Sequence, residues 1–147
     1  MNENRILQHT TDELFQLIQS SPHEFFSREP QDISHSSSEL FADYLKEIMG
    51  KYKITSGELI ARANLSKSHL YQILSGERNP SRDIVLVIAL AITITLAETQ
   101  RLLKLAQKSE LYPRVRRDAA VICCIEQHLS LFETNDFIES ISEEPLL

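Results

Sequence analysis

An all-α fold is predicted for this 147-residue chain by three features: a scarcity of turn glycines, helix-start signals at short intervals, and apolar residues spaced three and four apart. Only Gly50, Gly57 and Gly76 occur in the whole length, with five prolines. That is too few for the hairpins of an all-β sandwich, and no cluster of them could cradle a phosphate. The length allows one compact domain with a tail, or two very small ones, and excludes a large multidomain enzyme. With 42% hydrophobic and 24% charged residues, the chain can bury a core.

In a capping box, a Ser or Thr side chain accepts a free backbone N–H and a Glu three residues on reaches back. Boxes are predicted at Thr10/Glu13, Ser21/Glu24 with Pro22 at the first helical position, Ser36/Glu39, Thr55/Glu58, Thr95/Glu98 and Ser130/Glu133. Ser66 and Ser81 lack the Glu but precede helical patterns, and Pro80 stops any helix arriving from upstream. Between these starts Phe41, Leu45, Ile48 and Met49 share a face, as do Leu59, Ile60 and Ala63, then Leu70, Ile73 and Leu74, then Leu96, Leu102, Leu103 and Ala106. The run Ile84–Ile92 is apolar all round. Periodicity alone permits a buried strand there, but helical neighbours and the lack of a pairing strand predict a central core helix.

Three regions follow. Residues 1–35 form an acidic helical appendage whose apolar surface is limited to Leu14, Phe15, Leu17, Ile18, Phe25 and Phe26, and Gln31–Ser38 reads as a polar linker. Residues 36–108 hold the main helical domain, and residues 109–147 an acidic helical pair. The net charge of -6 hides a division along the chain. Residues 1–50 carry 9 acids and 3 bases, residues 51–118 carry 12 bases and 6 acids, and residues 119–147 carry 6 acids and no Lys or Arg. A basic middle between acidic ends hints at a polyanion-binding segment.

The most informative stretch is Thr55–Pro80. One short helix turns Leu59 and Ala63 inward, Asn64 suits a left-handed turn, Leu65 plugs the corner, and Ser66 caps a second helix anchored by Leu70 and Ile73 and closed by Gly76 at its C-cap. With the turn Glu77–Pro80 and two further helices, the pattern over residues 40–108 resembles the lambda-repressor-like helix-turn-helix family, also called the XRE or Cro/repressor family. The resemblance implies a helix-turn-helix bundle whose second motif helix lies in the major groove of double-stranded DNA. Lys67, Ser68 and Gln72 would then face bases with Tyr71 beside them, and Arg62, Ser66, Arg78 and Arg82 would lie on the phosphate side. Ile60 stands where the family has a small Ala, and Asn64 replaces its turn Gly.

After Leu111–Asp118, an apolar helix over about Ala119–Leu129 and a second one from Ser130 form another helix-turn-helix outline. Its second helix bears Glu133, Asp136 and Glu139, which phosphates repel, so protein contact is expected: self-association as a homodimer, or packing on the first domain. Arg114, Arg116 and Arg117 are expected to pair with the acidic tail rather than with DNA.

Catalytic chemistry finds little support. The five histidines are scattered, and no carboxylate pair sits beside a nucleophile in a glycine elbow. Cys124 and His128 have the spacing of two metal ligands, but Val121, Ile122 and Ile125 mark the segment as core, so no metal and no cofactor are expected. The longest apolar run is far short of the ~20 residues needed to cross a membrane. Neighbouring Cys123 and Cys124 cannot staple distant segments, and no export signal opens the chain, so it reads as cytoplasmic. The expectation is a non-enzymatic, sequence-specific DNA-binding transcriptional regulator. The alternative is a helical adaptor or antitoxin-like module that binds a protein partner through its acidic termini.

Overall fold

The computed structural model describes residues 9–28 and 36–147, and all its regular structure is helical. The helices are α1 (Thr11–Ser20), α2 (Pro22–Ser27), α3 (Ser37–Lys51), α4 (Ser56–Ala63), α5 (Lys67–Leu74), α6 (Arg82–Ile92), α7 (Leu96–Leu105), α8 (Arg116–Glu126) and α9 (Leu131–Ser140). None is long and apolar enough to cross a membrane.

Capping chemistry sets most of the starts. Reciprocal boxes form at Thr10, Thr55, Thr95 and Ser130, and the hydroxyls of Ser36, Ser66 and Ser81 each accept the N–H three residues on. The expected box at Ser36 forms only in its first half, with no return bond from Glu39 to the Ser36 N–H, and the one at Ser21 does not form. Ser21 instead closes α1, donating its N–H to the Leu17 carbonyl, while Pro22, which has no N–H to satisfy, begins α2. Two other boundaries also differ from expectation. Ser37 and Ser38 belong to α3 rather than to the linker, the rest of which, from Gln31 to His35, lies outside the described residues. Helix α8 begins one turn earlier than expected, at Arg116, with Val115 making no side-chain cap. Its first turn is held by Asp118, which accepts the Tyr112 N–H at 3.0 Å.

One apolar core runs through residues 41–146. It joins Phe41, Leu45 and Ile48 of α3, Leu59 of α4, Leu70 and Ile73 of α5, all of α6 from Val85 to Ile92, and Leu102 and Leu103 of α7 to Val121, Ile138 and Leu146. Helix α6 packs against α4, α7 and α9. The segment expected as a central core helix is therefore helical and forms the axis of the bundle. The pair α8–α9 packs on the same core, one of the two roles expected of it. The tail is fastened by Asn135, which donates to the Leu146 carbonyl at 2.9 Å and accepts its N–H at 2.6 Å. Phe25 of α2 is buried, whereas Phe15 of α1 and Phe26 of α2 are exposed.

Polar clasps close the bundle. Glu98 of α7 accepts from Lys51 Nζ at 2.7 Å and from the Tyr52 hydroxyl, tying α7 to the end of α3, while it completes the box at Thr95. Burial raises the Glu98 carboxyl, but these donors outweigh it and bring the group down to about 2. Because the folded value lies below the unfolded one, this contribution is complete above about pH 4.5 and is lost as pH falls toward 2. Glu98→Gln should cost about 1–2 kcal/mol at pH 7, after allowance for solvent around the exposed Lys51, and should flatten the stability profile between pH 4.5 and 2 in urea titrations. A second expectation concerns Thr93. It ends α6 at φ 67°, in a left-handed conformation that a β-branched side chain resists. Thr93→Gly should therefore stabilise the fold by about 1 kcal/mol, seen as a rise of a few degrees in Tm.

Candidate nucleic-acid interface

The candidate site is built on α4, the following turn and α5. Leu59 and Ala63 anchor α4 in the core, and Leu70 and Ile73 anchor α5. Between them Asn64 adopts φ 54°, ψ 40°, the left-handed turn its short amide side chain tolerates. Leu65 packs half-buried at the corner beside Ile60, which is accommodated as a half-buried neighbour of the core.

The far end of α5 is fixed as firmly. Ser75 is its C-cap, and Gly76 follows one residue beyond the position expected for it, at φ 83°. A Cβ on Gly76 would lie 3.1 Å from Glu39 Cγ, and the Ser38 hydroxyl donates to the Gly76 carbonyl at 2.8 Å, so α3 butts against this turn. The chain then doubles back: Gly76 N–H bonds the Ile73 carbonyl, and Arg78 N–H bonds the Gln72 carbonyl at 3.1 Å.

With Leu70 and Ile73 turned inward, Lys67, Ser68 and Tyr71 face outward and exposed, with Gln72 half-buried beside them. The Lys67 ammonium lies 5.7 Å from the centre of the Tyr71 ring. Arg78 Nη1 donates to Gln72 Oε1 at 3.3 Å. Burial, joined by the positive charge of Arg78, holds His69 below the usual imidazole value, so its ring is neutral at pH 7. Arg62 is exposed on α4, with Glu58 Oε2 at 3.7 Å. Of the eight residues expected at the interface, Ser66, Lys67, Ser68, Tyr71, Gln72 and Arg78 gather on α5 and its two ends, and Arg62 sits one helix away.

Arg82 is not with them. Its guanidinium grips the buried Asp118 at 2.8 and 3.0 Å and donates to the carbonyls of Ser109 and Glu110. The reason is electrostatic: Asp118 is removed from water by packing and requires a cation, and Arg82 supplies it. Burial raises the Asp118 carboxyl, but Arg82 and the Tyr112 N–H outweigh it and hold the group below the usual aspartate value. Next to this pair, Arg117 grips Asp83 through two 3.0 Å bonds and donates to the carbonyls of Glu144 and Pro145. Arg116 meets Glu143 at 3.6 Å and the Ile141 carbonyl at 3.0 Å. Of the tail pairing expected of Arg114, Arg116 and Arg117, the ion pair of Arg116 with Glu143 is present, Arg117 reaches only main-chain carbonyls of the tail and takes Asp83 of α6 as its ion partner, and the contacts described include none for Arg114.

Among the described residues, no three His, Cys, Asp or Glu side chains are grouped as metal ligands. Cys124 is buried, while His128 is exposed beyond the end of α8. Sequence reasoning also missed the contact of Arg78 with Gln72. The signal available was Gly76, since a left-handed residue after a helix returns the chain toward its last turn. Comparison of the chain with protein-family models, curated proteins and solved structures gives no match.

Two of these cations should behave differently when removed. Arg82→Ala leaves Asp118 buried without its cation and should cost about 3 kcal/mol, whereas Arg62→Ala breaks an exposed pair and should cost less than about 0.5 kcal/mol. Urea unfolding of the two variants checks this. Replacing Arg82 and Asp118 together by Leu should recover most of the loss.

Proposed function

We propose that the protein is a sequence-specific, non-catalytic DNA-binding transcriptional regulator of the lambda-repressor-like helix-turn-helix type, acting as a homodimer. The carrying observation is the division of α5: Leu70 and Ile73 lock one face in the core, while Lys67 and Ser68 of its first turn and Tyr71 of its second are exposed on the other, with Gln72 half-buried beside them. A helix seated on a rigid core and presenting donors from its first turns suits major-groove readout. In this reading Ser68 and Gln72 face base edges and Lys67 supplies a donor there. Tyr71 offers an apolar edge to a thymine methyl. Arg62, Ser66 and Arg78 lie toward the backbone phosphates. Arg82 drops out of the set because its guanidinium is engaged with Asp118.

A second reading has a specific observation of its own. Phe132 is 81% exposed on α9, among Glu133, Asp136 and Glu139. An exposed aromatic in an acidic field suits protein contact, the alternative in which the chain is an adaptor.

Selection from random duplex DNA at two salt concentrations separates the two. The regulator reading expects an enriched, pseudo-palindromic site with half-sites about 34 Å apart, binding that weakens with salt, and relaxed base preference in Lys67→Ala and Gln72→Ala with unchanged Tm. No retention even at low salt overturns it in favour of the adaptor.

A further inference from the structure

We infer that Arg78 is a positioning residue that sets Gln72 to read guanine in place of adenine. The inference rests on the DNA-binding reading above and specifies one base of the site.

A free glutamine amide offers one donor and one acceptor along one edge. That pattern matches adenine, whose major-groove edge shows an acceptor at N7 and a donor at N6. Here the amide is not free. Arg78 Nη1 donates to Gln72 Oε1, and the main chains are joined by the bond from Arg78 N–H to the Gln72 carbonyl. The arginine is therefore tied to the glutamine at both backbone and side chain.

With Oε1 engaged, the free part of the amide is Gln72 Nε2, whose two N–H groups are both donors. Oε1 keeps a second lone pair. An adenine amino group approaching it, however, would bring its positive edge against a cation. Guanine meets no such conflict, because N7 and O6 are both acceptors. Thymine supplies a single acceptor beside a methyl group, and cytosine a donor, so neither matches two donors side by side. Neutral His69 adds no competing cation at this position.

Base selection with the wild-type chain, Arg78→Ala, Arg78→Met and Gln72→Ala tests the assignment. Wild type should enrich guanine at one position of each half-site, by about tenfold over adenine. Both Arg78 variants should shift that position to adenine, because the freed amide then pairs with N7 and N6. Gln72→Ala should erase the preference there and leave the other positions unchanged. Arg78 is exposed, and the Met variant keeps its hydrocarbon stem, so folding should be retained. Adenine at that position in wild type, or guanine retained in both Arg78 variants, overturns the inference while the DNA-binding reading stands. If wild type enriches no site at all, the DNA-binding reading fails and this assignment with it.

Discussion

Helix α6 is the constraint to which the rest of the molecule answers. From Val85 to Ile92 every side chain is buried, so no side of the helix can face water. Helices α4 and α7 cover part of its circumference and α9 covers another part, with Ile138 and Leu146 in the same apolar cluster. The C-terminal pair is therefore a wall of the core. Without it, the apolar surface of α6 would lie open, at a cost of roughly 25 cal/mol per Å² exposed. The same demand fixes α4 against α6, and α4 in turn sets the base from which α5 projects.

The N-terminal end of α6 meets a second demand. Arg82 and Asp83 are consecutive on α6, and Arg117 and Asp118 are consecutive on α8. They pair crosswise, Arg82 with Asp118 and Asp83 with Arg117. Each carboxylate also lies in the first turn of its helix, where the dipole favours an anion. Buried ion pairs of this kind add little net stability over an apolar contact, since desolvation offsets most of the attraction. What they supply is register, because a slide of α8 along α6 would leave the buried Asp118 carboxylate without its cation. They also explain why a charge count along the sequence overstates the field available to a polyanion. Lys51, Arg82, Arg116 and Arg117 belong to the basic middle segment, and all four are engaged in pairs away from α5.

Features encoded within a few residues were legible in the sequence. A hydroxyl and a carboxylate three apart define a helix start with no help from tertiary structure, and among the described residues eight of nine helices begin where such local signals place them. Asn64 and Gly76 were likewise legible, because a left-handed turn restricts residue type at one position. Features settled by distant partners were not. The start of α8 carries no capping side chain and depends on contacts of Asp118 with Arg82 and Tyr112. Ser21 carried a capping signal but was needed to end the preceding helix. Arg82 looked like any cation near a helix start until Asp118, 36 residues away, claimed it.

The proposed interface inherits a particular balance from this arrangement. A whole chain of net charge -6 gives DNA no long-range attraction, and the cations of the proposed interface are Lys67, Arg78 and the Arg62 that faces Glu58. Non-specific affinity comes almost wholly from phosphate neutralisation, so a surface with so few cations has little of it. Base-edge hydrogen bonds keep their value whatever the net charge, because they form only after the helix is seated. On the DNA reading, such a surface sacrifices speed of encounter for a wide gap between correct and incorrect sites. It then depends on two half-sites engaged together, since joining two weak readers raises the combined affinity without adding charge to either.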